Sequence, residues 1–212
     1  GTNAGYGTQG TYSIALGAEA GYNTQGENAI ALGHYAGKYI QGGYAIAIGY
    51  GAGSGQSWGA GQKESSIALG YNCGNLNQGS NSLAIGREAG KYNQRSDAIS
   101  IGNEAGKYNQ GSKSVSIGNY YDLLSHGQQD QGISSVSLGD NAGKYYQGDY
   151  SIAIGYNSGK GDSSGTTNAQ KQNSIAIGAY AGQSNQGRNC IAIGPKAGSE
   201  NQHNNTIILN AQ

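Results

Sequence analysis

The sequence contains no methionine, no phenylalanine, one proline and two cysteines, and only 11% of its 212 residues are charged. Each scarcity removes a class of protein. Twelve basic residues balance twelve acidic ones, so no basic stripe exists to release counterions from phosphate, and nucleic acid is not an expected partner. No apolar run exceeds a few residues, so neither a transmembrane helix nor membrane insertion is expected, and no signal peptide is visible. The missing methionine, including a start, suggests a processed chain or an excerpt of a longer one. Large apolar side chains are too few for a thick globular core. What is abundant is glycine, 40 residues of it, without the proline or the three-residue period of collagen. Zero net charge and a strict schedule of Ile, Leu and Val argue against disorder. A thin core repeated many times is the expectation.

The schedule is carried by Ser13-Ile14-Ala15-Leu16, closed by Gly17, which returns as Ala29-Ile30-Ala31-Leu32-Gly33 and continues to Cys190-Ile191-Ala192-Ile193-Gly194. The closing glycines from Gly17 to Gly194 are sixteen residues apart, except for three longer steps of 21, 21 and 23 residues. Gly1 fits as one further member and Asn210 takes the place of the next, giving twelve units. Counted from its glycine, a unit reads G-x-x-A-G-x-x-x-Q-G-x-x-[SA]-I-[AS]-[IL]. Position nine is Gln9, Gln25, Gln41, Gln62, Gln78, Gln94, Gln110, Gln131, Gln147, Gln170, Gln186 and Gln202. That register survives every long unit (49–69, 118–138 and 155–177), so the extra residues lie between positions five and nine.

Sixteen residues suit one turn of a β-solenoid. The expected fold is all-β, a parallel β-solenoid (β-roll) of about twelve turns forming a single repeat domain over 1–212. At a strand spacing of about 4.8 Å, it makes a rod on the order of 60 Å long. Each turn carries a strand through positions 13 to 16. Alternation sets Ile, Leu or Val at 14 and 16 on one face and Ala or Ser at 13 and 15 on the other. The aliphatic face is read as the core of the roll. The uniformly small face is read as a closely packed contact with another copy, against the alternative of an exposed Ala/Ser ribbon. The glutamine column is read as a structural amide ladder at a buried polar position.

Loops on a rigid scaffold carry recognition. The long turns supply Trp58, the Leu123-Leu124 pair and His126, which either contact a ligand or pack back on the rod or a neighbour. Lys-Tyr recurs at positions six and seven in Lys38-Tyr39, Lys91-Tyr92, Lys107-Tyr108 and Lys144-Tyr145. Tyr39, Tyr92, Tyr108 and Tyr145 form either a surface that stacks on sugars or a partner protein, or an aromatic ladder along one corner. Catalysis finds little support. Gly161-Asp162-Ser163-Ser164-Gly165 has the outline of a hydrolase elbow without assignable partners. His34, His126 and His203 fall in units three, eight and twelve, too far apart for a triad or a metal site. No metal or other cofactor is expected. Cys73 and Cys190 lie seven turns apart, roughly 34 Å, so they are expected to be separate buried thiols. No Thr-x-Thr column supports ice binding. The ends carry no capping element, which points to a rod cut from a longer protein or stacked end to end.

The phrase Ser-Ile-Ala-Ile-Gly followed by x-x-Ala-Gly resembles the head repeats of trimeric autotransporter adhesins. Ala181-Gly182-Gln183-Ser184-Asn185-Gln186-Gly187, leading into Ile191-Ala192-Ile193-Gly194, resembles repeats in surface and fibre proteins of large DNA viruses, as does the closing Thr206-Ile207-Ile208-Leu209-Asn210-Ala211. The resemblance implies parallel β-rolls packed side by side, trimers foremost, that attach to host matrix or other cells. The sixteen-residue turn departs from bacterial heads, which usually repeat at about fourteen, and no binding residues carry over. The functional expectation is a non-catalytic fibre or adhesin segment, extracellular, on a cell surface or on a virion. Its partners are itself and a cell-surface glycan or protein. The alternatives are a filament subunit joined through uncapped ends and a carbohydrate-active fibre with a site between subunits.

Overall fold

In the computed structural model, residues 1–56, 59, 61–120, 129–163 and 169–211 are described. Twelve three-residue strands, from Ile14–Leu16 to Ile207–Leu209, pair in chain order into one parallel sheet. The pairing is in register, as in Val115 on Ile99 and Ser116 on Ser100. It stays in register across the long turns, with Ile67 on Ile46, Val136 on Val115 and Ile175 on Ile152. The glutamines form a second column. Short strands Thr8–Gln9, Thr24–Gln25 and Ile40–Gln41 pair at one end, and Ser184–Gln186 pairs with Glu200–Gln202 at the other. Isolated parallel bridges continue it through Gln62 and Gln78. The chain is an all-β parallel solenoid of about twelve turns.

Two corners return the chain between these columns. At the first, the unit's opening glycine has φ from 107 to 148°, a region that L side chains rarely adopt. A Cβ on Gly102 would overlap the carbonyl oxygen of Gly118 in the next turn. Four residues later, Gly37 has φ 52°, and a Cβ there would lie 2.8 Å from the Gln41 Oε1 atom. Glycine therefore recurs at position five because the glutamine amide occupies the space a side chain would take. At the second corner, position twelve has positive φ in every turn, including Tyr12, Lys113 and Tyr150 at 55 to 58°.

The structure reverses the expected faces. Position 15 is buried throughout the sheet interior, as Ala31, Ala47, Ser100 and Ser137 show with no exposed surface. Positions 14 and 16 point outward and are half-buried or exposed in every strand. The core consists of the position-15 side chains, the position-four alanines (Ala20, Ala36, Ala52, Ala89), the position-13 Ala or Ser and the glutamines. The small residues are closely packed inside one roll, not against another copy. Each turn is only two strands wide, and a glutamine must cross it, which leaves room for a methyl or hydroxymethyl group at position 15 in every turn before the last, where Ile208 stands. Serine alternates with alanine at position 13 because its hydroxyl turns back onto the position-ten carbonyl, as in Ser82 Oγ to Gly79 O at 2.6 Å and Ser114 Oγ to Gly111 O at 2.6 Å.

Candidate interaction surfaces

Outward-facing Ile, Leu and Val build one continuous apolar ribbon down the twelve-stranded sheet. The parallel register stacks like on like, for example Ile30, Ile46 and Ile67, then Leu32, Ile48 and Leu69. Neighbours in the column cover each other's flanks, while the tips face outward: Leu69 and Leu138 remain 37% and 42% exposed. A contiguous aliphatic face on a monomer marks an interaction surface rather than a solvated one.

Opposite the ribbon across the roll stand the glutamines. Gln25 through Gln202 are buried, and Gln9 in the first turn is exposed. Every one of the eleven buried amides donates Nε2 to the position-14 carbonyl of the preceding turn, at 2.7 to 3.0 Å. Amide-to-amide bonds are the lesser part: Gln9 to Gln25, Gln41 to Gln62, Gln94 to Gln110 and Gln147 to Gln170, at 3.1 to 3.3 Å. The column thus ties each turn to the strand of the turn before it, through backbone carbonyls more than through neighbouring amides.

Two further ladders were missed in the sequence. At position eight, Asn77 donates to Asn93, Asn93 to Asn109, and Asn109 to Asp130, at 2.9, 3.0 and 2.7 Å. At position twelve, Asn173 donates to Asn189 and Asn189 to Asn205, at 3.3 and 3.0 Å. The recurrence of asparagine at one unit position was the available signal. Tyr120 was missed too. It is fully buried in the only stretch where position 15 is serine in three successive turns, and its hydroxyl lies 3.2 Å from Ser116 Oγ. Burial pushes its phenol well above the ordinary value.

The Lys-Tyr column is arranged as a ladder. Tyr92 and Tyr108 stack at 5.0 Å with rings 10° apart. The ammonium groups of Lys38, Lys91, Lys107 and Lys144 sit 5.0, 5.1, 5.5 and 5.1 Å from the rings of Tyr39, Tyr92, Tyr108 and Tyr145. Tyr39, Tyr92 and Tyr108 are half-buried, and Tyr145 is only 7% exposed. Tyr92 and Tyr108 turn their ring faces to each other, and each ring of the column has a lysine ammonium beside it. Beside them, Lys107 Nζ lies 2.8 Å from Glu88 and 3.3 Å from Glu104, and Lys91 lies 2.9 Å from Glu88. Burial works to raise the Glu88 carboxyl, and the ammonium groups of Lys107 and Lys91 outweigh it and hold the carboxyl below its ordinary value. A more open aromatic group joins His34, Tyr35, Tyr50 and Tyr71, with centroids 3.8 to 5.9 Å apart. Trp58, Leu123, Leu124 and His126 lie outside the described residues.

Cys73 and Cys190 are free and buried. Among the described residues no group of three or more His, Cys, Asp or Glu side chains is placed to hold a metal ion. Among them, too, no helix is long and apolar enough to cross a membrane. No curated protein and no solved structure is significantly similar to the chain. The family model of the YadA head domain repeat does match it, in two copies at residues 147–158 and 165–181. With the solenoid around them, these two matches make the chain similar to the β-rolls of adhesin heads.

Proposed function

We propose that the chain is a rigid, non-catalytic segment of a surface fibre, extracellular or on a virion, whose apolar ribbon packs against other copies of itself, three copies foremost. One observation carries this reading: the larger aliphatic side chains of the phrase face outward from Ile14 to Leu209, while Ala, Ser and Gln fill the interior. An unpartnered face of that length costs roughly 25 cal/mol for each Å² of apolar surface kept in water. Self-association recovers this without rearranging the roll. A side-by-side bundle also leaves the corners of the roll away from the ribbon free for attachment to a host or neighbouring surface.

Light scattering on purified protein tests it, with a mass of about three chains as the expected result and a stable monomer as the result that overturns it. A variant with Ile46→Lys, Ile99→Lys and Ile152→Lys should dissociate the assembly and keep the β circular-dichroism spectrum, since these side chains are outside the core. Rods of fixed length by electron microscopy would count against an end-to-end filament.

A further inference from the structure

Position ten obeys an either-or rule. In eight turns it is glycine, and in the other four it is a basic residue: Lys63, Arg95, Lys171 or His203. Crowding explains the glycines, because a Cβ on Gly79 would overlap the backbone of Arg95 and Ser96 in the next turn. Packing does not explain why every exception is basic. Lys63 and Arg95 are both exposed and occur in alternate turns, separated by Gly79. That sets them about 10 Å apart along the rod. Neither makes an ion pair among the described residues.

Between them runs a groove of about 600 Å³. One wall is the ladder of Asn77, Asn93 and Asn109. The other is a hydroxyl column from position eleven, Ser80, Ser96 and Ser112. Its lining includes no carboxylate and no apolar side chain. A second groove on the same corner, about 450 Å³, is different: there Asp130 and Asp149 stand beside Lys171 and Arg188 and balance them.

The geometry points to the groove between Lys63 and Arg95 as a binding site for a linear anionic polysaccharide lying along the rod. One carboxamide and one hydroxyl per turn supply paired donors and acceptors at a regular spacing, which suits sugar hydroxyls. One cation every second turn suits an acidic group recurring along an extended chain. An acidic peptide would find no apolar side-chain pocket there and no strand edge to extend. The inference deepens the attachment part of the fibre reading, but the groove is built by a single chain and exists whatever the assembly.

Fluorescence anisotropy with labelled heparin oligosaccharides, polygalacturonate, neutral dextran and polyglutamate tests it. Binding of one of the first two is expected, and which one binds distinguishes a sulfate from a carboxylate ligand. Lys63→Gly with Arg95→Gly installs the residue that the column otherwise uses, so the fold is retained, and binding should weaken about tenfold with a shallower salt dependence. Lys63→Gln with Arg95→Gln should do the same, whereas Lys171→Gly should leave binding unchanged. No binding of either anionic polysaccharide, equal binding of dextran or polyglutamate, or an unaffected double variant would overturn the assignment. The mass of the same sample by light scattering reports separately on the fibre reading, so the two can fail independently.

Discussion

Ser137 Oγ donates to Gln147 Oε1 at 2.6 Å, inside the roll and out of contact with water. Ser100 makes the same bond to Gln110 ten residues on. At these turns both ends of the buried amide are paired: Gln110 Nε2 also reaches Ile99 O at 2.7 Å. Serine at position 15 is thus an interior partner for the glutamine.

Replacing Gln110 by Met keeps the volume and removes these bonds together with the one accepted from Gln94, leaving Ile99 O without its side-chain donor and Ser100 without its acceptor. A loss of about 2–4 kcal/mol is expected from the shift in urea midpoint. Gln9→Met, at an exposed position, should move the midpoint by under about 0.5 kcal/mol. Similar losses at both sites would mean that the interior amides do not hold the roll together.

Gly102→Ala adds a Cβ into the carbonyl of Gly118 at φ 124°. It should destabilise by about 3 kcal/mol or more. Gly43→Ala, whose nearest contact would be Glu27 O at 3.5 Å, is expected to be neutral. Thermal melts of the two variants side by side decide the matter.

Lys113 holds φ 58° at position twelve, one turn beyond Asp97. Asparagine tolerates that conformation and already forms hydrogen bonds along this column, as Asn81 does to Asp97 at 3.3 Å. Lys113→Asn should stabilise by about 0.5–1 kcal/mol. An unchanged or lowered melting temperature would show that the backbone strain is not relieved.

Burial pushes the Cys73 thiol up from 9.0 to about 12. Below pH 9 both folded and unfolded chains hold this proton, and the contribution is complete. As pH rises from 9 toward 12 the unfolded chain releases the proton first, so stability falls, by about 1.4 kcal/mol per pH unit for one group. The raised Tyr120 phenol acts in the same direction above pH 10. Denaturant titrations at pH 8 and 11 should show a smaller loss for Cys73→Ala than for the unsubstituted chain. Equal losses would mean that Cys73 titrates freely in the folded state.

Much of the fold was legible because the solenoid period is written directly in sequence spacing. Gly17, Gly33 and Gly49 recur where only glycine meets both the φ and the clearance, and the interval from Gln to Ile is constant even across the long units. The site was less legible. The Asn77-Asn93-Asn109 ladder hides among residues common in turns, and Tyr120 looks like loop aromatics until it is found inside the roll. Trp58, Leu123, Leu124 and His126 stand out only by being unlike their neighbours, which is a weaker signal than recurrence.

The sequence by itself determined the period, the parallel register and the division of each strand into an aliphatic and a small-residue face, since strand alternation needs no tertiary information. Only the tertiary structure decided which face is inside. Alternation separates Ile30 from Ala31 but does not say which way the strand turns. That choice depends on the width of the turn and on the glutamine that spans it, a volume constraint that exists only once the two columns are brought together. The interior took Ala and Ser because nothing larger fits beside Gln41 or Gln110, and Ile and Leu were left to face outward.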